Sequence, residues 1–386
     1  LKTQPNLIPK KSSLMRAKIF VILLGASLGA LAIPSLAAQT TGASPVAPAP
    51  GAASGLPSGG ILEATHENDW FVFSDRDFTG GLRLAYTTQN YQDWSAVPLV
   101  PGWYGNLFDR ISLIGDRNAV DAGGFYTQLN MYTPNNPYRN PPDPYDHPYS
   151  AWLGLGTDVI RQTADRRAIF EIMPGMIGPY SGGQELQNGF HSLIGDTEFQ
   201  GWSHQIKNEP LLQFTYRQDW RPAALTSFGG STPSDFNYDV IGHVTATAGN
   251  GWDYAALGFL ARWGYHLPMD FGPARMRLGE IASAPYVAPD AAKSEGGGSL
   301  SDALSAYGCF GAEPRFVAHD ITLDGNTLAN SPSVVNEPVV GEVYGGLVMQ
   351  YECFRGSFLI IYETDTFRSQ PQPGQWRGSL TLGWQF

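Results

Sequence analysis

From residue 60 onward the chain is a series of short runs in which apolar and polar residues alternate. In the last run Leu380, Leu382, Trp384 and Phe386 share one parity, and Ser379, Thr381, Gly383 and Gln385 the other. Leu212, Phe214 and Tyr216 are opposed in the same way to Gln213, Thr215 and Arg217. Phe354, Phe358, Ile360 and Tyr362 are opposed to Arg355, Ser357 and Glu363. A period of two marks β-strands, whose successive side chains point to opposite faces. Such runs fall near residues 60–70, 79–89, 122–132, 149–160, 168–178, 209–220, 236–248, 252–263, 309–319, 338–350, 353–364 and 377–386. That makes about twelve strands, an even number that suits a single-chain outer-membrane barrel of a Gram-negative bacterium. A soluble β-sandwich would turn its apolar face inward and need no aromatic residue at the strand ends. The pattern therefore predicts an all-β fold, a transmembrane antiparallel β-barrel with lipid outside and a wet lumen inside.

The N-terminus reads as targeting sequence. Met15 is followed by Arg16 and Lys18, the apolar run Ile19 to Ile33, and Pro34-Ser35-Leu36-Ala37-Ala38. A basic start, an apolar stretch and small residues before a cut make a secretory signal peptide over residues 1–38. A membrane anchor is the alternative, but the run is shorter than the ~20 residues of a spanning helix. Residues 39–59 carry no charge and are rich in Ala, Pro, Gly and Ser, which reads as a disordered linker. Residues 60–386 form the barrel domain. The connections 91–121 and 264–307 are longer than tight turns, and the second contains Gly296-Gly297-Gly298, a mark of mobility.

Residues 1–38 hold five of the 24 Lys and Arg and no acidic residue, so 19 basic side chains remain against 35 acidic ones, a net charge of −16. This balance argues against nucleic acid as a partner. It suits divalent cations, or a surface where cations bridge anionic lipid. The two cysteines, Cys309 and Cys353, fall on strands that are not neighbours. Export permits a disulfide between them, and the sequence does not decide it. The terminal strand closes on Phe386. Such an end resembles the signal read by the outer-membrane assembly machinery, which makes that machinery an expected partner of a monomeric barrel.

Two polar clusters exceed what a passive barrel needs: Glu67-Asn68-Asp69 with Thr79-Gly80-Gly81, and Gly182 to His191. With the first strand running outward from the periplasm, Glu67-Asn68-Asp69, Thr79 and His191 converge on one outer rim. Alternation places Glu63, Thr65, Glu67 and Asp69 on the lumen face, with Thr79, Gly81 and Arg83. It turns Asn68 outward unless the strand ends or bulges there. A histidine can take a proton from water near neutral pH. Carboxylate and amide oxygens can hold Ca²⁺, and Asp69 and Glu67 are the expected metal ligands. The cation can stabilise the oxyanion formed when water attacks an ester. No Gly-x-Ser-x-Gly elbow supplies a serine nucleophile, which favours direct attack by water.

These segments resemble the outer-membrane lipid A 3′-O-deacylase (LpxR-type) family. The matching pieces are Glu67-Asn68-Asp69, Asp75 to Leu82, Met131-Tyr132-Thr133-Pro134, Asp146 to Trp152, Ile177-Gly178-Pro179, Gln184 to His191, Gly201-Trp202, Gln205 and Asn208-Glu209-Pro210. They recur in family order over residues 60 to 220. The resemblance implies a twelve-stranded barrel that hydrolyses the ester-linked 3′ acyloxyacyl chain of lipid A with calcium. It gives His191 the role of general base and sets Asn68, Asp69 and Thr79 around the water and metal. Arg139 falls where the family has a basic residue for a lipid A phosphate, and Gln187 and Asn188 are expected to contact substrate. Three positions depart from the family pattern. His147 stands where many relatives have arginine, Gly80 where asparagine is common, and Thr197 where an acid follows the histidine. Two rival readings stay open: a non-catalytic barrel (a porin or lipopolysaccharide-binding scaffold), and a phospholipase acting on another lipid ester. The deacylase reading predicts a lumen plugged by side chains. The porin reading predicts a wide one.

Overall fold

The computed structural model describes residues 59–72, 77–115, 118–195, 197–227, 235–282 and 304–386. The signal peptide, nearly all of the linker and the triple glycine expected from the sequence lie outside these residues. Twelve antiparallel strands form a closed barrel. They are β1 (Ile61–Asn68), β2 (Asp77–Thr87), β3 (Val120–Thr133), β4 (Ser150–Gln162), β5 (Arg166–Ile177), β6 (Glu209–Trp220), β7 (Phe236–Gly249), β8 (Trp252–Tyr265), β9 (Leu304–Asp320), β10 (Val339–Tyr351), β11 (Phe354–Glu363) and β12 (Gln375–Gln385). The barrel closes where Ile61 pairs with Gln385 and Asn68 with Gly378. Closure leaves no strand edge unpaired, the condition for a sheet to lie in lipid. Leu82, Leu84, Leu212, Phe214, Leu257, Phe259, Phe358 and Trp384 are exposed on the outer wall. Gln213, Thr215, Arg217, Arg262 and Glu342 are buried in the lumen. The alternation in the sequence is thus the inside and outside of the barrel.

The lumen is packed rather than wet. After β8 the chain turns back, and residues 267–282 form a plug that rises inside the barrel to Met276 beside Glu67 and returns to Thr87 at the rim of Ile61. Leu267 and Phe271 join Ile241, Leu260, Leu359 and Ile361 in an apolar cluster. Strand side chains satisfy the plug backbone. Glu67 Oε1 accepts from Met276 N at 3.0 Å, Glu171 Oε2 from Gly279 N at 2.9 Å, and Thr87 Oγ1 donates to Ala282 O at 2.8 Å. Arg275 pairs with Glu280, Glu313 and Glu342, and Arg377 with Glu67, Glu342 and Glu363. Buried charges are tolerated only when paired this thoroughly.

The long connection before β3 also folds onto the barrel, at the rim that holds Ile61 and Gln385. It carries the helix α1 (Gly102–Asp109). Trp94, Val97, Val100 and Phe108 pack with Val159 and Ala168. Leu99, Trp103, Leu107 and Leu113 stay exposed on its far side. Cys309 is buried, Cys353 is half-buried, and both are free thiols.

Candidate active site on the outer wall

The β5–β6 connection forms the helix α2 (Gly183–Ile194). It ends at Gly195, where φ is +73°, and the Gly195 N–H reaches the carbonyls of His191 and Ser192. This left-handed cap suits glycine. Gly183, Gln187 and His191 follow one another at four-residue spacing and are buried together. Leu186 and Leu193 face away and are exposed. The buried stripe rests on the outer wall: a Cβ on Gly183 would stand 2.1 Å from Ala151 Cβ and 3.4 Å from Met131 Cγ. The helix therefore lies against the barrel, between wall and lipid, and only glycine lets it come so near.

His191 is 5% exposed. Its Nδ1 lies 2.7 Å from the carbonyl oxygen of Thr197 and its Nε2 lies 2.9 Å from Gln187 Nε2. A carbonyl only accepts, so Nδ1 carries the proton and Nε2 keeps the lone pair. The ring meets Phe199 edge-on, with centroids 4.5 Å apart. Asn188, expected to touch substrate, is tied to the backbone of Phe199: its Oδ1 accepts from Phe199 N at 3.2 Å and its Nδ2 donates to Phe199 O at 3.4 Å. It holds the segment that presents the Thr197 carbonyl. The group that orients the imidazole is thus a main-chain oxygen and not a side chain. Asp196, beside it, lies outside the described residues.

The other expected residues flank the same wall. β1 ends at Asn68, on the face shared by Leu62, Ala64 and His66, as its parity requires. Asn68 Oδ1 accepts from Trp70 N at 2.6 Å, and its Nδ2 lies 3.1 Å from where a Cβ on Gly80 would be. Asp69 opens a 3-10 turn, Asp69–Val72, and is fully buried. The strand stops one residue earlier, so the alternation that was expected to put it on the lumen face does not extend to it. Thr79 also departs from expectation. A bulge between Phe78 and Gly80 inserts it into the β2–β3 pairing and shifts it out of the lumen register. Its Oγ1 lies 2.6 Å from Thr133 Oγ1. Tyr132 lines the lumen, so the next residue, Thr133, takes the opposite side, and Thr79 goes with it. Gly81 and Arg83 do face inward. Met131 joins the two halves of the site, since its Cε lies 3.5 Å from a Cβ on Gly80 while its Cγ meets Gly183.

Arg139 is exposed on the β3–β4 loop and pairs with Asp143. Its neighbours fix the loop beside the histidine: Tyr138 packs edge-on against Phe199, and Asn140 Oδ1 lies 3.1 Å from His204 Nε2. His147 does not reach the site. It is buried, stacked on Tyr132 with centroids 5.3 Å apart, and it meets Phe367 edge-on. Burial lowers its pKa to about 4, so it is neutral. Glu67 lies on the lumen side, where its oxygens accept from Met276 N and Arg377 Nε. The oxygen donors at the end of β1 that suit a hard cation by their chemistry are the Asp69 carboxylate and the Asn68 amide. Among the described residues no group of three or more His, Cys, Asp or Glu could hold a metal ion, so backbone carbonyls would have to complete any calcium shell.

The model of the family described as "Outer membrane protein LpxR" matches residues 24–386. The solved structure of LpxR from Salmonella typhimurium aligns with a TM-score of 0.65 at 20% identity, covering 84% of this chain and 100% of that one. The β-domain of the Bordetella autotransporter BrkA aligns with a TM-score of 0.37 at 9% identity, covering 85% and 99%. No curated protein matches. The Salmonella likeness shows the fold, and the family match spans the whole barrel with the wall site described above. The chain belongs to the LpxR family of outer membrane proteins.

Proposed function

We propose that this protein is a lipid A 3′-O-deacylase, which removes an ester-linked acyloxyacyl chain from lipid A in the outer leaflet. One observation carries the reading: a histidine of fixed tautomer lies on an amphipathic helix between the barrel wall and lipid. Water displaces Gln187 Nε2 from the His191 lone pair, and His191 Nε2 takes its proton as the oxygen attacks the ester carbonyl. The C–O bond to the sugar then breaks, and the imidazolium returns the proton to the sugar oxygen. The products are a free fatty acid and an alcohol. Asn68 Nδ2 points its N–H groups at the developing oxyanion, since its Oδ1 is held by Trp70 N. Thr79 and Asp69 frame that position, and Arg139 binds a lipid A phosphate at the rim. Bound at Asp69, calcium would add positive charge for the oxyanion.

The test is refolded protein with purified lipid A in detergent, with calcium or a chelator, and products read by mass spectrometry. Loss of an acyl mass that needs His191 and calcium supports the reading. Intact lipid A beside cleaved phospholipid supports a phospholipase instead, and both lipids intact leaves a non-catalytic barrel. Terbium luminescence on the protein alone, before and after Asp69→Asn, tests the cation site without substrate. The targeting segment 1–38 and delivery to the assembly machinery through the strand ending at Phe386 belong to the same proposal.

A further inference from the structure

We propose that the outer end of the lumen is a cup that binds a head-group sugar attached to lipid A, beyond the acylated sugars themselves. The proposal rests on the deacylase reading and extends it to the part of the substrate that is not cleaved. A partly open cavity of about 90 Å³ lies there, room for a small ring. Its aromatic side is Phe78, Tyr132, Trp252 and Tyr254. Its polar side is Arg277, Arg315, Glu363, Asp320 and Gln375. Its floor is the plug at Met276, which Glu67 holds by the backbone. The space is therefore a dead end and not a pore.

The lining selects the class of occupant. An acyl chain would leave the arginines and carboxylates facing hydrocarbon. A small anion would find as many acids as bases: Arg277, Arg315 and Arg377 are matched by Glu67, Asp320 and Glu363. A sugar ring has an apolar C–H face that packs on aromatic rings and a hydroxyl edge that bonds charged groups of either sign. Trp252 and Asp320 already show the two halves adjoining, with Trp252 Nε1 donating to Asp320 Oδ1 at 3.1 Å. The cup also backs directly onto the wall site. Glu67 and Phe78 line it, and the next residues along the chain, Asn68 and Thr79, belong to the outer side. A glycolipid with an acyl chain along the wall carries its sugars at the level of this rim.

The test uses the full barrel with His191→Ala in detergent micelles, so that nothing is hydrolysed. The probe is the water-soluble oligosaccharide left after complete deacylation of lipopolysaccharide. Calorimetry and saturation-transfer NMR read its binding, and migration of unheated protein on gels reports a closed barrel. Tyr254→Leu keeps an apolar side chain and removes the aromatic face, and Gln375→Leu removes a hydroxyl partner. The expected result is saturable binding, weakened at least tenfold by either change. With His191 present, Tyr254→Leu raises KM for full lipopolysaccharide about tenfold and leaves KM for lipid A without further sugars unchanged. No binding to a closed barrel, or binding indifferent to both changes, overturns the cup. Hydrolysis without oligosaccharide binding removes the cup and keeps the deacylase. Tyr254-dependent binding without any hydrolysis does the reverse.

Discussion

His191 Nδ1 lies 2.7 Å from the carbonyl oxygen of Thr197, and this contact decides which ring nitrogen is basic. A base held in one tautomer needs no rearrangement before it takes a proton from water. His191→Gln keeps a polar side chain of similar reach and removes the basic nitrogen. The rate of fatty-acid release should fall by roughly 10²–10⁴, the worth of a positioned general base. The barrel should still close, since His191 lies on the wall outside the strand ladder. Release followed by mass spectrometry, with gel migration as the folding control, checks both.

Asn188 acts on the same contact from one step away. It pairs with the backbone of Phe199, two residues beyond Thr197. Asn188→Ala frees that segment and lets the carbonyl drift from Nδ1. We expect kcat to fall about tenfold with KM unchanged, because misplaced groups cost rate before they cost binding. Asn188→Asp keeps the acceptor for Phe199 N and should lose less. Equal loss in the two variants, or a change confined to KM, would return Asn188 to the role of a substrate contact.

The close approach of α2 to the wall yields a prediction with its own rescue. A methyl at Gly183 would stand 2.1 Å from Ala151 Cβ, nearer than atoms allow, so the helix must lift. Gly183→Ala should lower activity several-fold without disturbing strand pairing. Adding Ala151→Gly makes room for the methyl and should recover most of the loss. Such non-additivity is expected only of side chains in contact. Additive losses in a kinetic double-mutant cycle would mean that the helix does not rest on Ala151.

The strands were legible because lipid and lumen impose a period of two on any barrel, and β6 begins and ends where its alternation does. β9 starts at Leu304, earlier than expected. Its first turns carry Gly308 and Gly311, which blur an apolar face. The plug was not legible: Pro268, Asp270 and Arg275 read as an ordinary polar loop. Its trace in the sequence was indirect, in an inward-facing acid such as Glu171, whose cross-strand partners Asp158 and Thr215 carry no positive charge. Glu67 was singled out for its carboxylate, but a strand pattern cannot show that Met276 and Arg377 already hold it. Thr79 was placed on the wrong face because a bulge depends on the partner strand, and a single strand carries no sign of it. His191 was found by its neighbours in sequence. Its orienting partner was hidden, since a backbone carbonyl has no letter of its own.

The plug makes the deacylase and porin readings separable by electrical measurement. Residues 267–282 fill the lumen and are fastened by buried pairs such as Arg275 with Glu313, 2.8 Å apart. Purified protein in a planar bilayer should show no conductance steps. Replacing residues 268–281 with a short Gly-Ser linker should open the lumen and produce them. Steps from the unaltered protein would favour the porin reading.

His147 makes the rim sensitive to acid. It is buried between Tyr132 and Phe367, and burial takes its pKa from the ordinary 6.5 down to about 4. Between these values the unfolded chain binds a proton that the folded rim refuses. The contribution of His147 to stability is therefore complete above pH 6.5 and is lost as pH falls to 4. The full difference is on the order of 3 kcal/mol. NMR of ring-labelled histidine should show one imidazole titrating near 4. His147→Phe keeps the stack on Tyr132 and removes the titration, so its rim should resist proteolysis at pH 5 better than that of the parent. An ordinary midpoint for His147, or equal acid sensitivity in the two proteins, would show that the ring is open to water.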